Sequence, residues 1–409
     1  MPSTTPEMQR EPPTLLDVLG QYGIFDTLCR RLDTATLFSL RLVSRKLVDN
    51  YAAHAKERWN VNRRLKHFVK NPQGLRSLMA QSNALISGSF AVQFFDDVSW
   101  NESDLDIYVG HDGAAALGTF LCRKEGYRHE KKSAEDDDYD TIGFIQVDKY
   151  LRGDKDMGDV AKIQIISTRT IPARAILGCF STTTVVNMMS WNAAYSMFPK
   201  MTFFEPRTQR KIAQGADIDA IQRQIDKYSL RGWDANGIPA VGSRRVGDCR
   251  SWKITLDVTG VESSSIPDFV IENCHFVVAG ETYRGSNITS YRSMADEFTS
   301  HVLKYRYTDG YSLKNDFWED HMRDRLQDLL LTELRKLDPE VQPDFLARPM
   351  QWSETDPMMH HALASFMIDF IKPETWTFYD ELVPSWCEEW EKEHALRKLE
   401  VSMANVNIT

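Results

Sequence analysis

Residues 84–109 read ALISGSFAVQFFDDVSWNESDLDIYV, and this stretch decides the fold. Ala84 to Ser87 is a short apolar run with strand character, and Gly88-Ser89 is turn chemistry. Phe90 to Val98 (FAVQFFDDV) has the density of apolar residues expected of a buried helix. SDLDIYV (103–109) is a second strand. Side chains at i and i+2 on a strand share a face, so Asp104 and Asp106 project side by side while Leu105 and Ile107 face the core. Two parallel carboxylates suit a hard divalent cation such as Mg²⁺, which also binds nucleotide phosphates. Gly88 permits close backbone approach, and Ser89 sets a hydroxyl beside the N–H groups that open the next helix, a ready phosphate position.

Downstream, Ala114 to Gly126 is helical in pattern, and the charged stretch 128–140 is a loop. Two strands follow, TIGFIQVDKYL (141–151) and DVAKIQIIS (159–167), joined by the turn-rich RGDKDMGD. The polar face of the second strand offers Lys162 and Gln164, and Gln164 joins Gly88 and Ser89 as a nucleotide-binding candidate. Helices are expected from 171 to 197 and from 218 to 228. A β-rich patch around 251–284 precedes a segment from 290 to 337 with amphipathic helical periodicity. The stretch 350–400 reads as helical, with Trp352, Trp376, Trp386 and Trp390 as packing residues. The expected division is a lead at 1–13, a helical unit at 14–80, an α/β domain at 81–230, and a β-rich then helical region at 231–409.

Strand, Gly-Ser turn, helix, and then a strand bearing Asp-x-Asp resembles the nucleotidyltransferase superfamily that includes DNA polymerase β. The resemblance covers about 80–200. It implies an α+β fold, a nucleotidyltransferase-like mixed sheet flanked by helices, with the N-terminal helical unit and a mainly helical C-terminal region around it. It also implies roles: Gly88 and Ser89 on the triphosphate, Asp104 and Asp106 as catalytic residues ligating Mg²⁺, and transfer of a nucleoside monophosphate to a hydroxyl. The superfamily's third carboxylate sits on a later strand, here DVAKIQIIS, whose polar face carries Lys162 and Gln164 instead. A lysine there competes with a metal, and a glutamine cannot act as a base. Asp148 lies on the preceding strand, and Asp159 is three residues from Lys162 and so faces away on a regular strand.

A second resemblance lies upstream. Leu32-Asp33 and LRLVSR (40–45) resemble the second half of an F-box, a helical module that docks an adaptor subunit of ubiquitin ligases. The Leu-Pro that opens the F-box pattern would fall at Gly20-Gln21. Asp33-Thr34 is expected to cap a helix carrying Leu37, Leu40, Val43 and Leu47. The F-box-like start, the Gly-Ser/Asp-x-Asp core and STTTVVNMMSWNAAYSMFP (181–199) together resemble a group of uncharacterised fungal proteins.

The remaining features narrow the classes. The chain has 409 residues, 42% hydrophobic and 26% charged, a balance that fits globular domains rather than disorder. A net charge of −9 argues against a general affinity for nucleic acid. No apolar run reaches the length of a membrane span, and the Pro-rich first thirteen residues lack a signal-peptide core. The six cysteines show no C-x-x-C spacing and read as reduced, mostly buried thiols, so a cytoplasmic or nuclear setting is expected. Glu135 to Asp138 reads as a solvated acidic loop, and His360-His361 has no ligand spacing. Two readings stay open: a metal-dependent nucleotidyltransferase, and a nucleotidyltransferase-like binding module without turnover, presented to a ubiquitin ligase by the N-terminal helices. The discriminator is what meets Asp104: a third carboxylate or Lys162.

Overall fold

The computed structural model describes residues 12–100, 103–130, 144–154, 159–205, 218–234, 239, 241–282, 289–310, 318–347, 363 and 365–406. Short helices come first: α1 (Leu15–Leu19), α2 (Tyr22–Cys29), α3 (Thr34–Leu40), α4 (Val48–Arg58), α5 (Val61–Leu65) and α6 (Pro72–Ser82). All but α2 and α4 start on a side-chain cap. The Asp33 carboxylate accepts from the Thr36 amide at 2.7 Å, Asn60 from Arg63, and Asn71 from Gly74 with Pro72 at the first helical position. The helix expected to run through Val43 ends instead at Leu40. Ser44 accepts from the Lys46 amide and opens a 3₁₀ turn (Arg45–Leu47), which leaves Leu42 and Val43 exposed. Leu47 is buried and Leu40 half-buried; Arg41 and Arg45 are exposed.

The sheet has eight strands: β1 (Leu85–Ser87), β2 (Leu105–Gly110), β3 (Arg128–Glu130), β4 (Phe144–Asp154), β5 (Asp159–Thr168), β6 (Asn187–Met189), β7 (Ala193–Ser196) and β9 (Trp252–Thr255). Their order is β3-β4-β5-β2-β1-β6-β7-β9, so the last strand arrives from beyond residue 230. β2 and β5 are parallel, and the other pairs are antiparallel; the sheet is mixed and the fold is α+β. Helices α7 (Gly88–Asp96) and α8 (His111–Arg123) cover one face, where Phe94, Phe95, Leu105, Ile107, Leu117, Ile163 and Ile165 are fully buried. The N-terminal helices enter the same core: the Trp59 indole donates to the Phe95 carbonyl at 3.1 Å, and the buried Arg76 guanidinium donates to the Trp191 carbonyl. On the opposite face, α9 (Pro172–Cys179) packs over Tyr108 and Ile166.

Two helical expectations fail. Only Pro172–Cys179 of the segment 171–197 is α-helical; Thr183–Val185 makes a 3₁₀ turn, and Ser190-Trp191-Asn192 turns β6 back on β7. The segment 290–337 begins as strands, β11 (Thr289–Met294), β12 (Asp296–Phe298) and β13 (Tyr307–Asp309). β11 and β8 (Gly242–Arg245) flank β10 (His275–Thr282). The other helices are α10 (Ile218–Ser229) before β8, α11 (Asp268–Glu272) between β9 and β10, and α12 (Trp318–Arg335), α13 (Asp344–Ala347) and α14 (Val383–Val406) after β13. Trp318, Trp376, Trp386 and Trp390 are buried there as packing residues, whereas Trp352 falls outside the described residues. Cys29, Cys274 and Cys387 are buried thiols, and Cys122 and Cys249 are exposed. Among the described residues no helix is long and apolar enough to cross a membrane.

Candidate functional site

The register of three strands builds the site. Ser87 on β1 pairs with Asp106 on β2, and Asp106 with Gln164 on β5, so the three lie in one row across the sheet. Leu105, Ile107, Ile163 and Ile165 point the other way into the core, which forces Asp104, Asp106, Lys162 and Gln164 onto the partly open half of the face that α9 leaves bare. The chain then turns at Gly88, with φ +69°, and α7 starts beside the carboxylates. A Cβ at Gly88 would run into the Asp106 carboxylate, so the turn and the Asp pair are in contact and only glycine fits between them. Ser87 stands at the N-cap of α7 in extended conformation without a side-chain cap, its hydroxyl donating instead to the Asn187 carbonyl.

Lys162 meets Asp104. Its Nζ lies 2.8 Å from Asp104 Oδ2, and Gln164 Nε2 donates to that same oxygen at 2.8 Å. Among the described residues Asp106 has no such partner. Burial first, and then repulsion from Asp104, pushes its carboxyl up to about 7, with the charges of Lys162 and Lys227 opposing the shift. Near neutrality the four groups therefore carry little net charge. Ser89 Oγ is 3.1 Å from Ser103 Oγ, and Gln93 Nε2 donates to Ser103 Oγ at 2.6 Å and to the Ser89 carbonyl at 3.1 Å. Gln93 Oε1 accepts from the Trp100 amide at 2.6 Å, so this one buried side chain ties the Gly-Ser turn, the segment before Asp104 and Trp100 together. Trp100 in turn packs against Tyr228 and Trp233, and Arg231 stacks over the Trp100 ring at 3.9 Å.

Every sequence-predicted site residue thus sits in one place: Gly88, Ser89, Asp104, Asp106 and Gln164. Among the described residues no third carboxylate joins them. Asp148 pairs with Ile165 and so lies on the other face, where it accepts from Gln146 and contacts His129. Glu135 and the Asp159 side chain fall outside the described residues, as does His360-His361. Among the described residues no group of three His, Cys, Asp or Glu side chains could hold a metal ion. With Lys162 and Gln164 both on Asp104 Oδ2, the donor set does not fit a Mg²⁺ site as it stands. Gln93, Ser103, Trp100 and Arg231 were not singled out from the sequence. Gln93 was accessible: it is the one polar residue inside FAVQFF, four residues after Ser89 and on its helix face.

No family model, no curated protein and no solved structure matches this chain.

Proposed function

We propose that the chain carries a nucleotidyltransferase-like module that binds a nucleoside triphosphate and in which the Lys162 ammonium stands where the superfamily places a metal. The observation that carries this reading is Lys162 Nζ at 2.8 Å from Asp104, with Gln164 on the same oxygen. A fixed ammonium neutralises the carboxylate that would otherwise repel phosphate, and does so without a divalent ion. The uncapped start of α7 and the Ser89 hydroxyl then face a cleft of low net charge, an arrangement that favours an anion. The chemistry of the donor set favours binding over transfer. Two-metal transfer would need free carboxylates to hold the two ions, and Asp104 is already committed to Lys162. The test is ATP and CTP binding with and without Mg²⁺: retention without metal upholds the reading. Release of pyrophosphate in Mg²⁺ would instead support transfer of a nucleoside monophosphate to a hydroxyl acceptor.

A second role is supported by the N-terminal helices. Leu42 and Val43 are 78% and 64% exposed, beside the exposed Arg41 and Arg45, on the segment that resembles an F-box. An apolar pair left in solvent between cations is what a docking element presents to an acidic, apolar partner surface. The proposed partner is the ubiquitin-ligase adaptor subunit. Pull-down at micromolar concentration should recover it with wild type and lose it with Leu42→Glu/Val43→Glu. No recovery with wild type removes this role and leaves the helices as packing elements only.

A further inference from the structure

We propose that Arg231, just past the C-terminus of α10, is an anion-binding residue of the same cleft and holds a phosphate group of its ligand; only the identity of that ligand rests on the nucleotide reading above. The other half-buried or buried arginines near the core have oxygen partners. Arg76 donates to the Trp191 carbonyl and Asn62, Arg152 to the Glu125 and His67 carbonyls, Arg244 to Asp248, and Arg245 to Glu391 and Asn273. Arg231 is different. Among the described residues it meets no carboxylate, and its Nη1 is buried without a hydrogen-bond partner. Buried donors are almost always paired, so such a group asks for a partner.

The placement says which partner. The guanidinium lies 3.9 Å over the Trp100 ring and 5.7 Å from the Tyr228 ring, which fixes its plane. A planar fork held in this way matches phosphate oxygens. Trp100 is anchored through Gln93 to Ser103, the residue before Asp104, so Arg231 is tied through Trp100 to the segment that carries the Asp pair. Lys227 and Tyr228, from the end of the same helix, lie close enough for electrostatic interaction with Asp106. Lys162 is spent on Asp104, which leaves Arg231 and the exposed Lys227 as the cations for the ligand.

Calorimetric titration with inorganic tripolyphosphate in metal-free buffer tests this on the full chain. Wild type should bind, Arg231→Met should bind about tenfold or more weakly, and Arg231→Lys should fall between them because it keeps charge but loses the fork. Equal affinities for the three, or no binding by wild type, overturn the proposal. If Arg231→Met loses its thermal transition, wild type against Arg231→Lys decides alone, and equal affinity for that pair overturns it. ATP and adenosine are run in parallel. ATP binding no tighter than tripolyphosphate defeats the nucleotide reading while the Arg231 site stands.

Discussion

At the scale of single residues, Gly88 and Lys162 carry the account. Gly88 adopts φ +69° against the Asp106 carboxylate, a position closed to a side chain on two independent grounds. Gly88→Ala should therefore cost about 1–3 kcal/mol of stability, read as a lower urea midpoint. Gly88→Ala combined with Asp106→Ala should recover part of that loss, because only the contact is relieved and the backbone strain remains. An unchanged midpoint in the single variant would mean that the turn and the carboxylate are not in contact. Both residues were legible in the sequence, Gly88 as a turn glycine and Lys162 as a competitor for the metal. What could not be read was the pairing itself. The hydrogen bond from Lys162 to Asp104 depends on the parallel register of β2 and β5, strands more than fifty residues apart. Arg231 was invisible for the same reason, since its meaning lies in Trp100 beneath it and not in its neighbours along the chain.

At the scale of elements, alternation along β2 and β5 was readable because one face is apolar and the other polar. The segment 171–197 was misread because its β6-β7 hairpin is buried on both sides, and a continuous apolar run does not distinguish strand from helix. The strands at 289–309 are masked in the sequence by the strong helical period of α12 that follows them. The packing of α12 and α14 on β10 has its own signature. His275 on β10 is buried, stacked on Trp318 of α12 at 3.9 Å and edge-on to Trp390 of α14, and neither ring nitrogen has a hydrogen-bond partner among the described residues. Burial, and then the Arg245 charge, pulls its pKa down from 6.5 to about 3. The unfolded chain therefore takes up this proton first as pH falls. Stability from this group is intact above pH 6.5 and is lost progressively as pH falls from there towards 3. His275→Phe keeps a ring on Trp318 and removes the titration. Urea unfolding at pH 7 and pH 5 should show a smaller drop for the variant than for wild type. Equal drops would mean that His275 is solvated or paired.

At the scale of the whole molecule, one mixed sheet joins regions that the sequence suggested as separate. The N-terminal helices share the core beneath α7, and β9 from beyond residue 230 completes the sheet edge. The proposed site draws on three distant stretches: the turn at 88–104, the strand at 162–164 and the end of α10 at 227–231. This explains why the Asp-x-Asp signal was readable locally while the cation side of the cleft was not. The central claim is that Lys162 takes the place of a metal, and calorimetric titration of wild type and Lys162→Met with ATP, in EDTA and in Mg²⁺, measures it most directly. Wild type should bind in EDTA with an affinity that Mg²⁺ changes by less than about threefold, whereas Lys162→Met should lose about tenfold or more in EDTA and regain it in Mg²⁺, because Asp104 is then free to hold the ion. Wild-type binding that appears only with Mg²⁺, or ATP affinity in EDTA unaffected by the loss of Lys162, would contradict the account.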